Sequence, residues 1–445
     1  MAAQEMKPGN AGRRTVAIIG AGIVGVATAI WLQRDGHDVV LVDRAGPAEG
    51  ASFGNAGLLA SASFVPVTVP GLIAKAPSML LDRDSPLFLR WSYLPRLLPW
   101  LLRYLAHANA RQATRIANAL HPIIGDSLAD HQAMAAGTGA ERWIVPSDYL
   151  FVYDDRARFE HDSFAWALRR QLGVQWQELE GAALQAEEPA FSERLGFAAR
   201  VGDHGYVTDP GRYVKQLCDH VVAQGGRLVI ADARAIVHDK GRVTGVRITS
   251  RGGGGETLAC DAAVLAAGAW SRRLAEGLGL AVPLESERGY HLDLWEPSVV
   301  PNNPAMISAG KFVVTPMEGR LRLAGIVEFG GLEAPPSRAP FDLLERHIRA
   351  AMPGLTWKHR TEWMGHRPAT PDSLPVIGPV PGIAGAYLGF GHQHVGLTGA
   401  PKTGRILAQL VSGRAPNLDL APYAPGRFAR NSPRFGDTRH SDRVG

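Results

Sequence analysis

A glycine-rich turn between two apolar stretches constrains the fold of this chain more than any other feature. Residues 15–43 read as a short apolar strand, the turn GAGIVG at 20–25, a helical stretch and a second apolar strand that ends at Asp43. In such a unit the glycines allow a tight turn and close approach of a pyrophosphate, and the helix amide end favours phosphate charge. Asp43 is placed to accept hydrogen bonds from a ribose. The stretch predicts a Rossmann-type dinucleotide site, and NAD and FAD both fit it.

Length and charge narrow the class of protein. The chain has 445 residues, which predicts two domains or three. Its net charge is +5, and its 47 Lys and Arg residues form no block, so we expect no nucleic-acid partner. A mildly basic surface would favour anionic substrates or lipid headgroups. No run of 18 or more uncharged apolar residues occurs, which argues against a transmembrane helix.

The two cysteines, Cys218 and Cys260, make neither a disulfide framework nor a metal-binding set. We expect both to be buried small side chains, and a reducing, cytoplasmic location fits them.

The segment 87–105 is rich in Leu, Trp and Tyr and carries only Arg as charge. One interpretation is a segment that lies on the inner face of a membrane, with Arg at the headgroups and aromatic rings at the boundary. The other is an amphipathic helix in the core or in a dimer contact. Pro95 and Pro99 are expected to break any long helix here.

The second half of the chain predicts mixed structure. An Asp209-Pro210 pair is typical of a helix start. Residues 289–329 alternate as antiparallel strands, with a hairpin between 311–316 and 321–327. Residues 363–379 are Pro-rich and are predicted to be a loop, and a final helix is predicted at 398–412.

Four stretches, in their order along the chain, resemble the D-amino-acid oxidase family of FAD enzymes, and within it the bacterial D-amino-acid dehydrogenases. They are GAGIVG with Asp43-Arg44, GASFGNAG at 50–57, VLAAGAWS at 264–271, and WMGHRPATPDSLPVIG with GFGHQHVGLTGAPKTG at 363–404. The resemblance covers about residues 14–425. It selects FAD over NAD, and no Cys or His is placed for covalent attachment.

The resemblance implies an α/β fold, with a Rossmann-type FAD-binding domain and a discontinuous α+β substrate domain that carries an antiparallel sheet. The FAD-binding domain would comprise 13–65, 195–285 and 361–425, the substrate domain 66–194 and 286–360, and flexible tails 1–12 and 427–445. The cofactor would contact Gly20, Gly22, Ile23, Val24, Gly25, Asp43, Arg44, Ser52, Asn55, Ala56, Gly57, Ala267, Gly268, Trp270, Gly391, His392, Gly396, Leu397 and Thr398.

The resemblance also implies that Arg367, in its Gly-x-Arg-Pro motif, holds a substrate carboxylate, for which a planar guanidinium is well suited. The alternative is a structural ion pair with Glu362 or Asp372. Tyr290, Lys311 and His394 are further catalytic candidates; Tyr290 and Lys311 are expected on strands that face the pocket. His392 and His394 lack further partners at metal-ligand spacing, so no metal is expected, and which of them faces the flavin stays open.

The function implied is oxidation of a D-amino acid, with FAD, to a 2-oxo acid and ammonia. Activity should rise with pH, because the reacting amine must be neutral. The electrons would pass to a quinone or to oxygen, and segment 87–105 favours a quinone at a membrane. One alternative is an enzyme for a secondary amino acid, such as D-proline, cis-4-hydroxy-D-proline or sarcosine. Another is a non-catalytic flavoprotein subunit.

Overall fold

The computed structural model describes residues 12–74, 84–250 and 252–428. The expected tails, 1–12 and 427–445, lie outside these ranges except for Gly12, Arg427 and Phe428. The strands are β1 (Thr15–Ile19), β2 (Asp38–Asp43), β3 (Leu87–Leu89), β4 (Ile144–Tyr153), β5 (Gln177–Glu180), β6 (Phe197–Val207), β7 (Arg227–Asp239), β8 (Arg242–Ser250), β9 (Gly255–Ala259), β10 (Ala262–Leu265), β11 (Glu285–Trp295), β12 (Ala305–Ile307), β13 (Phe312–Met317), β14 (Arg320–Phe329), β15 (His359–Ala369), β16 (Val376–Pro379) and β17 (Ala386–Phe390).

The α-helices that frame these strands are α1 (Ile23–Arg34), α2 (Leu94–Leu105), α3 (Ala110–Ile124), α4 (Ser127–Ala135), α5 (Arg156–His161), α6 (Ser163–Gln171), α7 (Ala182–Glu187), α8 (Pro210–Ala223), α9 (Ser271–Glu276), α10 (Ala339–Ala351) and α11 (Ala400–Val411).

The predicted βαβ unit is confirmed in β1, α1 and β2, and β1 and β2 are parallel. The turn between β1 and α1 depends on two glycines. Gly20 has φ +110°, and a Cβ there would lie 2.4 Å from the carbonyl oxygen of Ala266. A Cβ on Gly25 would lie 1.9 Å from the carbonyl oxygen of Gly20. A side chain at either position would push α1 away from the end of β1.

The first sheet has the strand order β16-β17-β10-β1-β2-β7-β8-β9. Its five strands from β17 to β7 are parallel, with antiparallel strands at both ends. Helix α1 packs between α8 and α11 on this sheet. Asp209 caps α8 by accepting from the amide of Arg212 at 2.9 Å, as the Asp-Pro pair predicted. Cys218 and Cys260 are buried free thiols, also as predicted.

The second sheet has the order β15-β11-β14-β13-β12-β4-β6-β5, with β3 beside β14. The predicted hairpin is confirmed: β13 and β14 are antiparallel, and Met317 pairs with Arg320 across a Glu318-Gly319 turn. The prediction of a loop at 363–379 is wrong, because β15 and β16 occupy most of it. Pro368 is tolerated because β15 is an edge strand, where a residue without an N–H group need not break a hydrogen bond between strands.

Two of the expected domain limits, at 195 and 361, do not agree with the way the strands are divided between the two sheets. Strand β6, which the sequence analysis did not identify, and strand β15 both belong to the second sheet. Limits at 195 and 361 would assign β6 and most of β15 to the FAD-binding domain, although both strands pair within the second sheet. We propose instead that the chain passes between the domains after Val207 and after Ala369.

The expected helix break at Pro99 is also wrong, because α2 continues through this residue. Leu97, Trp100 and Tyr104 form its buried face and pack with Phe329 in one apolar cluster. Burial of this face offsets the hydrogen bond that Pro99 cannot donate. In the part of the chain that the structure describes, no helix is long and apolar enough to cross a bilayer.

A buried ion pair fixes the loop 53–55 to the second sheet. Arg322 on β14 binds both carboxylate oxygens of Asp293 on β11, at 2.7 and 2.8 Å. Its remaining nitrogen donates to the carbonyl oxygens of Phe53 at 2.9 Å and Asn55 at 2.8 Å. Burial alone would raise the pKa of Asp293, but the bonds and charge of Arg322 outweigh this and lower it. We call these four residues the Arg322 clamp.

Asp293→Asn should lower the free energy of unfolding by about 3 kcal/mol or more, because it removes the counter-charge of buried Arg322 and of buried Arg320, which lies 3.0 Å from the same carboxylate. Chemical denaturation of purified protein measures the change. The matched control is Glu276→Gln, which breaks the exposed 2.9 Å pair with Arg272 and should cost about 0.5 kcal/mol or less. Equal effects of the two substitutions would contradict the role of the clamp.

Candidate functional site

A cavity of about 1150 Å³ is lined by residues of both sheets. On one side lie the carboxyl ends of β1, β2, β10 and β17, where open α/β sheets bind ligands. On the other side lies one face of β11, β14 and β15, together with the inner face of α2. The cavity therefore joins the predicted dinucleotide turn to the predicted carboxylate-binding arginine.

Most of the sequence candidates line this cavity. The exceptions are Gly25, Gly57 and Gly391, which shape the backbone behind the wall: Gly57 and Gly391 have φ of +80° and +85°. The candidates in the wall are Gly20, Gly22, Ile23, Val24, Asp43, Arg44, Ser52, Asn55, Ala56, Ala267, Gly268, Trp270, His392, Gly396, Leu397, Thr398, Arg367, Tyr290, Lys311 and His394.

Asp43 holds the dinucleotide turn in shape. Its carboxylate accepts from the amide of Ala21 at 2.9 Å, and from those of Ala45 and Gly46 at 2.9 and 3.1 Å. The Ser52 hydroxyl accepts from the amide of Ile23, the first residue of α1, at 2.9 Å. A ribose contact by Asp43 stays a prediction, whereas its role in ordering the turn is visible.

Arg44 and Trp270 form one wall beyond Asp43. The Arg44 guanidinium lies 3.8 Å from the Trp270 ring centroid, and that ring meets His366 edge-on at 5.3 Å. His366 is bound in turn to Ser286 at 2.8 Å. A cation over an aromatic face is a favourable contact, so this wall is fixed by its own side chains.

The small-residue loop at 51–57 is held from the second sheet. Besides the Arg322 clamp, His291 donates to the carbonyl of Gly54 at 3.1 Å, and Thr315 to that of Ala56 at 2.8 Å. Asn55 accepts from the amide of Gly57 at 2.8 Å, which closes a tight turn. Gly54 is required because a Cβ there would lie 1.9 Å from the Trp363 ring.

The segment before α11 contributes two histidines with different surroundings. His392 is buried and bound to Thr403 at 3.0 Å, and burial lowers its pKa to about 4. His394 keeps accessible surface, and its side chain lines the cavity. Although His394 is exposed to the open space of the cavity, desolvation by the protein walls around that space, and then the charge of Arg367, lower the pKa of His394 to about 4. Both rings are neutral near pH 7.

Among the described residues, no set of three His, Cys, Asp or Glu side chains is arranged to hold a metal ion.

Arg367 projects from the edge strand over Gly289, where a Cβ would lie 2.5 Å from the guanidinium carbon. Its one described hydrogen bond is long, 3.5 Å to the carbonyl of Ile326. The alternative partners are engaged elsewhere: Glu362 with Arg338 and Arg360, Asp372 with Arg427. In the part of the chain that the structure describes, Arg367 has no ion pair, and its donors face a cavity.

Tyr290 touches the cavity, but its side chain lies on the face of β11 opposite to that of Arg367, because side chains alternate along a strand. Its hydroxyl donates to Glu328 at 2.6 Å and accepts from the amide of Ser337 at 3.0 Å. We therefore infer a packing role for Tyr290.

Lys311 is placed differently from the sequence expectation. It precedes β13 and has φ +47°, so it lies in a turn and not on a strand. Its side chain is exposed and lines the cavity. A contact with a ligand there stays a prediction.

The sequence analysis missed three parts of the cavity wall: Glu287 on β11, Trp363 on β15, and Leu97, Leu101 and Tyr104 on α2. Glu287 lies directly opposite Arg367 in the β11–β15 ladder. The alternation Glu285, Glu287, Gly289 along β11 was the signal that would have placed Glu287 on the face of Arg367.

The residues present fit FAD, the group that the resemblance implies. The dinucleotide turn offers the start of α1 and a glycine at 22, where a Cβ would already meet the Ser52 hydroxyl at 3.2 Å. The cavity continues past 52–56 and 392–398 to Arg367, which gives room for the flavin half beside the guanidinium.

Comparison with known proteins agrees with this geometry. Residues 15–410 match the model of the DAO family, described as FAD dependent oxidoreductase. The chain is 40% identical over 422 residues to a D-amino-acid oxidase of Bradyrhizobium diazoefficiens, covering 93% of this chain and 99% of the relative. It is 32% identical over 428 residues to a D-amino acid dehydrogenase of Methylobacterium nodulans, covering 93% and 99%.

Among solved structures, glycine oxidase from Geobacillus kaustophilus has a similar fold, with a TM-score of 0.69 and 23% identity, covering 93% of this chain and 99% of that one. The matched family model spans the dinucleotide turn, the Arg367 motif and most of α11. This chain belongs to the DAO family of FAD-dependent oxidoreductases.

Proposed function

We propose that this protein oxidises a D-amino acid to the imino acid, which water hydrolyses to a 2-oxo acid and ammonia. The observation that carries the proposal is Arg367, a guanidinium without an ion pair among the described residues, in the cavity that fits FAD. The choice of a D-amino acid follows the names of the two relatives, of which one is 40% identical.

Arg367 would bind the substrate carboxylate through two parallel N–H donors. This fixes the amino acid in one orientation, with its Cα–H directed at the cofactor. FAD, when bound, supplies the acceptor for the hydride that leaves Cα. Gly289 contributes by leaving the space that the guanidinium occupies.

His394 would contact the substrate amine as a neutral imidazole, because its pKa is lowered to about 4. A neutral ring can accept a hydrogen bond from the neutral substrate amine. No side chain is required as a base if the amine binds in its neutral form.

The outer face of α2 favours a quinone acceptor at a membrane surface. Leu98 and Leu102, one turn apart, are 45% and 60% exposed, and nearby Trp91 is 62% exposed. Arg96 and Arg103 on the same helix are exposed and suit anionic headgroups. Since the inner face of α2 lines the cavity, the helix would bring the lipid surface close to the reaction site.

Arg367→Lys should raise KM for a D-amino acid about 100-fold, equivalent to about 3 kcal/mol, because lysine keeps the charge but loses the two-point contact with the carboxylate. Steady-state kinetics of the variant and of wild type measure the change in KM.

The substrate class is tested by anaerobic mixing of the yellow wild-type holoenzyme with D-alanine, D-proline, cis-4-hydroxy-D-proline and sarcosine, in which reduction of the flavin is measured. Fastest reduction by D-alanine supports the proposal. Faster reduction by sarcosine or a proline would move the substrate to a secondary amine.

Arg360→Lys is the matched control for Arg367→Lys, since Arg360 lies on β15 outside the cavity and binds Glu345 and Glu362. It should leave KM unchanged. If neither these four compounds nor any other D-amino acid reduces the bound flavin, the proposed function is contradicted and a non-catalytic flavoprotein is favoured.

A Leu98→Gln/Leu102→Gln double variant should lower binding to anionic lipid vesicles at least about 10-fold, because two apolar side chains no longer enter the interface. Quinone reduction on vesicles should fall with it, while reduction of a soluble dye stays constant. Val222→Gln, at an equally exposed position on α8, is the control. Unchanged vesicle binding in the double variant would rule out this surface.

A further inference from the structure

Glu287 is a buried carboxylate that the proposed reaction does not use. Its residue is 8% exposed and lines the cavity. Among the described residues, its side chain has neither a hydrogen bond nor an ion pair. A buried carboxylate without a partner is costly, and here burial raises the pKa of Glu287 to about 7, although the charge of Arg367 opposes the rise.

The neighbours of Glu287 place it beyond the carboxylate-binding point. The guanidinium of Arg367 lies over Gly289, two residues along β11 from Glu287, which is about 7 Å along a strand. Phe329 lies opposite Glu287 on β14. Burial, and then the charge of nearby Glu287, raise the pKa of the Tyr104 hydroxyl on α2. A substrate whose carboxylate is held by Arg367, and whose side chain extends along β11 towards α2, would therefore reach Glu287.

The wall between these two points is apolar. Leu97 and Leu101 of α2 line it, together with Val327 and Phe329 of β14. An apolar wall that ends at one carboxylate fits a side chain with an aliphatic stem and a cationic end. Arg367 does not serve as this cation, because it forms no ion pair with Glu287 and would itself be occupied by the substrate carboxylate.

We propose that Glu287 is a specificity-determining residue that selects amino acids with a positively charged side chain. The proposal rests on the proposed function and names the substrate class of the same site.

The test compares D-lysine with D-norleucine, which share a straight four-carbon side chain and differ by the terminal ammonium. Wild-type holoenzyme should show a kcat/KM at least about 10-fold higher for D-lysine, as expected for a desolvated charge pair. Glu287→Gln should remove this preference by lowering kcat/KM for D-lysine, with D-norleucine changed by less than about 3-fold. Flavin content checks that the variant is folded.

A second readout is the pH dependence of the ratio of kcat/KM for D-lysine to kcat/KM for D-norleucine. A merely structural role of Glu287 would leave this ratio constant with pH. Among the residues that the structure describes, the titratable groups that interact with Glu287 are Arg367 on β15, Glu285 on its own strand and Tyr104 on α2, and its partner on β14 is apolar Phe329. Because Glu287 loses its charge below a pKa of about 7, the preference for D-lysine should grow from about pH 6 to about pH 8, where lysine stays cationic. Titration of the α-amine affects both substrates and therefore cancels in the ratio. In Glu287→Gln the ratio should not change with pH.

Four outcomes would overturn the inference. Equal or faster turnover of D-norleucine in wild type would reject the selection and leave the proposed function intact. An equal loss for both substrates in Glu287→Gln would assign the carboxylate to the α-ammonium instead. If the variant does not fold, a wild-type ratio that is flat with pH rejects the role, whereas flavin that no D-amino acid reduces rejects the proposed function as well.

Discussion

The buried pair of Arg322 and Asp293 is the interaction on which the arrangement of the site depends. Asp293 neutralises a guanidinium that is nearly inaccessible to water, which leaves Arg322 free to bind the carbonyl groups of Phe53 and Asn55. These carbonyls belong to a loop that follows the first βαβ unit, whereas Arg322 lies on the second sheet. Together with the hydrogen bonds of His291 and Thr315 to the same loop, this ion pair holds the dinucleotide-binding part against the sheet that carries Arg367.

The alternation of side chains along β11 and β15 then decides which residues face the cavity. Gly289 and Arg367 share the cavity face with Glu287, and Tyr290 lies on the other face. The guanidinium of Arg367 on β15 occupies the space above Gly289 on β11, so its position depends on the absence of a side chain at residue 289. The same face carries the groups proposed to bind the carboxylate and the side chain of the substrate.

The local parts of the fold could be predicted from the sequence because they depend on neighbouring residues. The β1–α1–β2 unit, the β13–β14 hairpin and the Asp209 cap each need only a short stretch of chain. Strand β15 was not predictable in this way. Its Pro368 argues against a strand unless the strand is known to lie at an edge, and edges are set by pairing with distant residues.

The candidate site was predicted in outline for the same reason. Glycine turns and the Arg-Pro motif are visible in the sequence, and most of these candidates line the cavity. The alternation along β11 indicates only that Glu287 and Gly289 share a face. That this face also carries Arg367 depends on pairing between remote strands, as do the Arg322 clamp and the contact of α2 with the cavity.

The most direct test of this account is a titration of oxidised holoenzyme with benzoate, a carboxylate that has no amine and no hydride to give. Binding beside the flavin is followed by the change in flavin absorption. The account predicts a saturable change in wild type that is weakened about 100-fold in Arg367→Lys, because the two-point contact is lost. Equal affinity in the two proteins would contradict the assignment of Arg367 as the group that binds the substrate carboxylate.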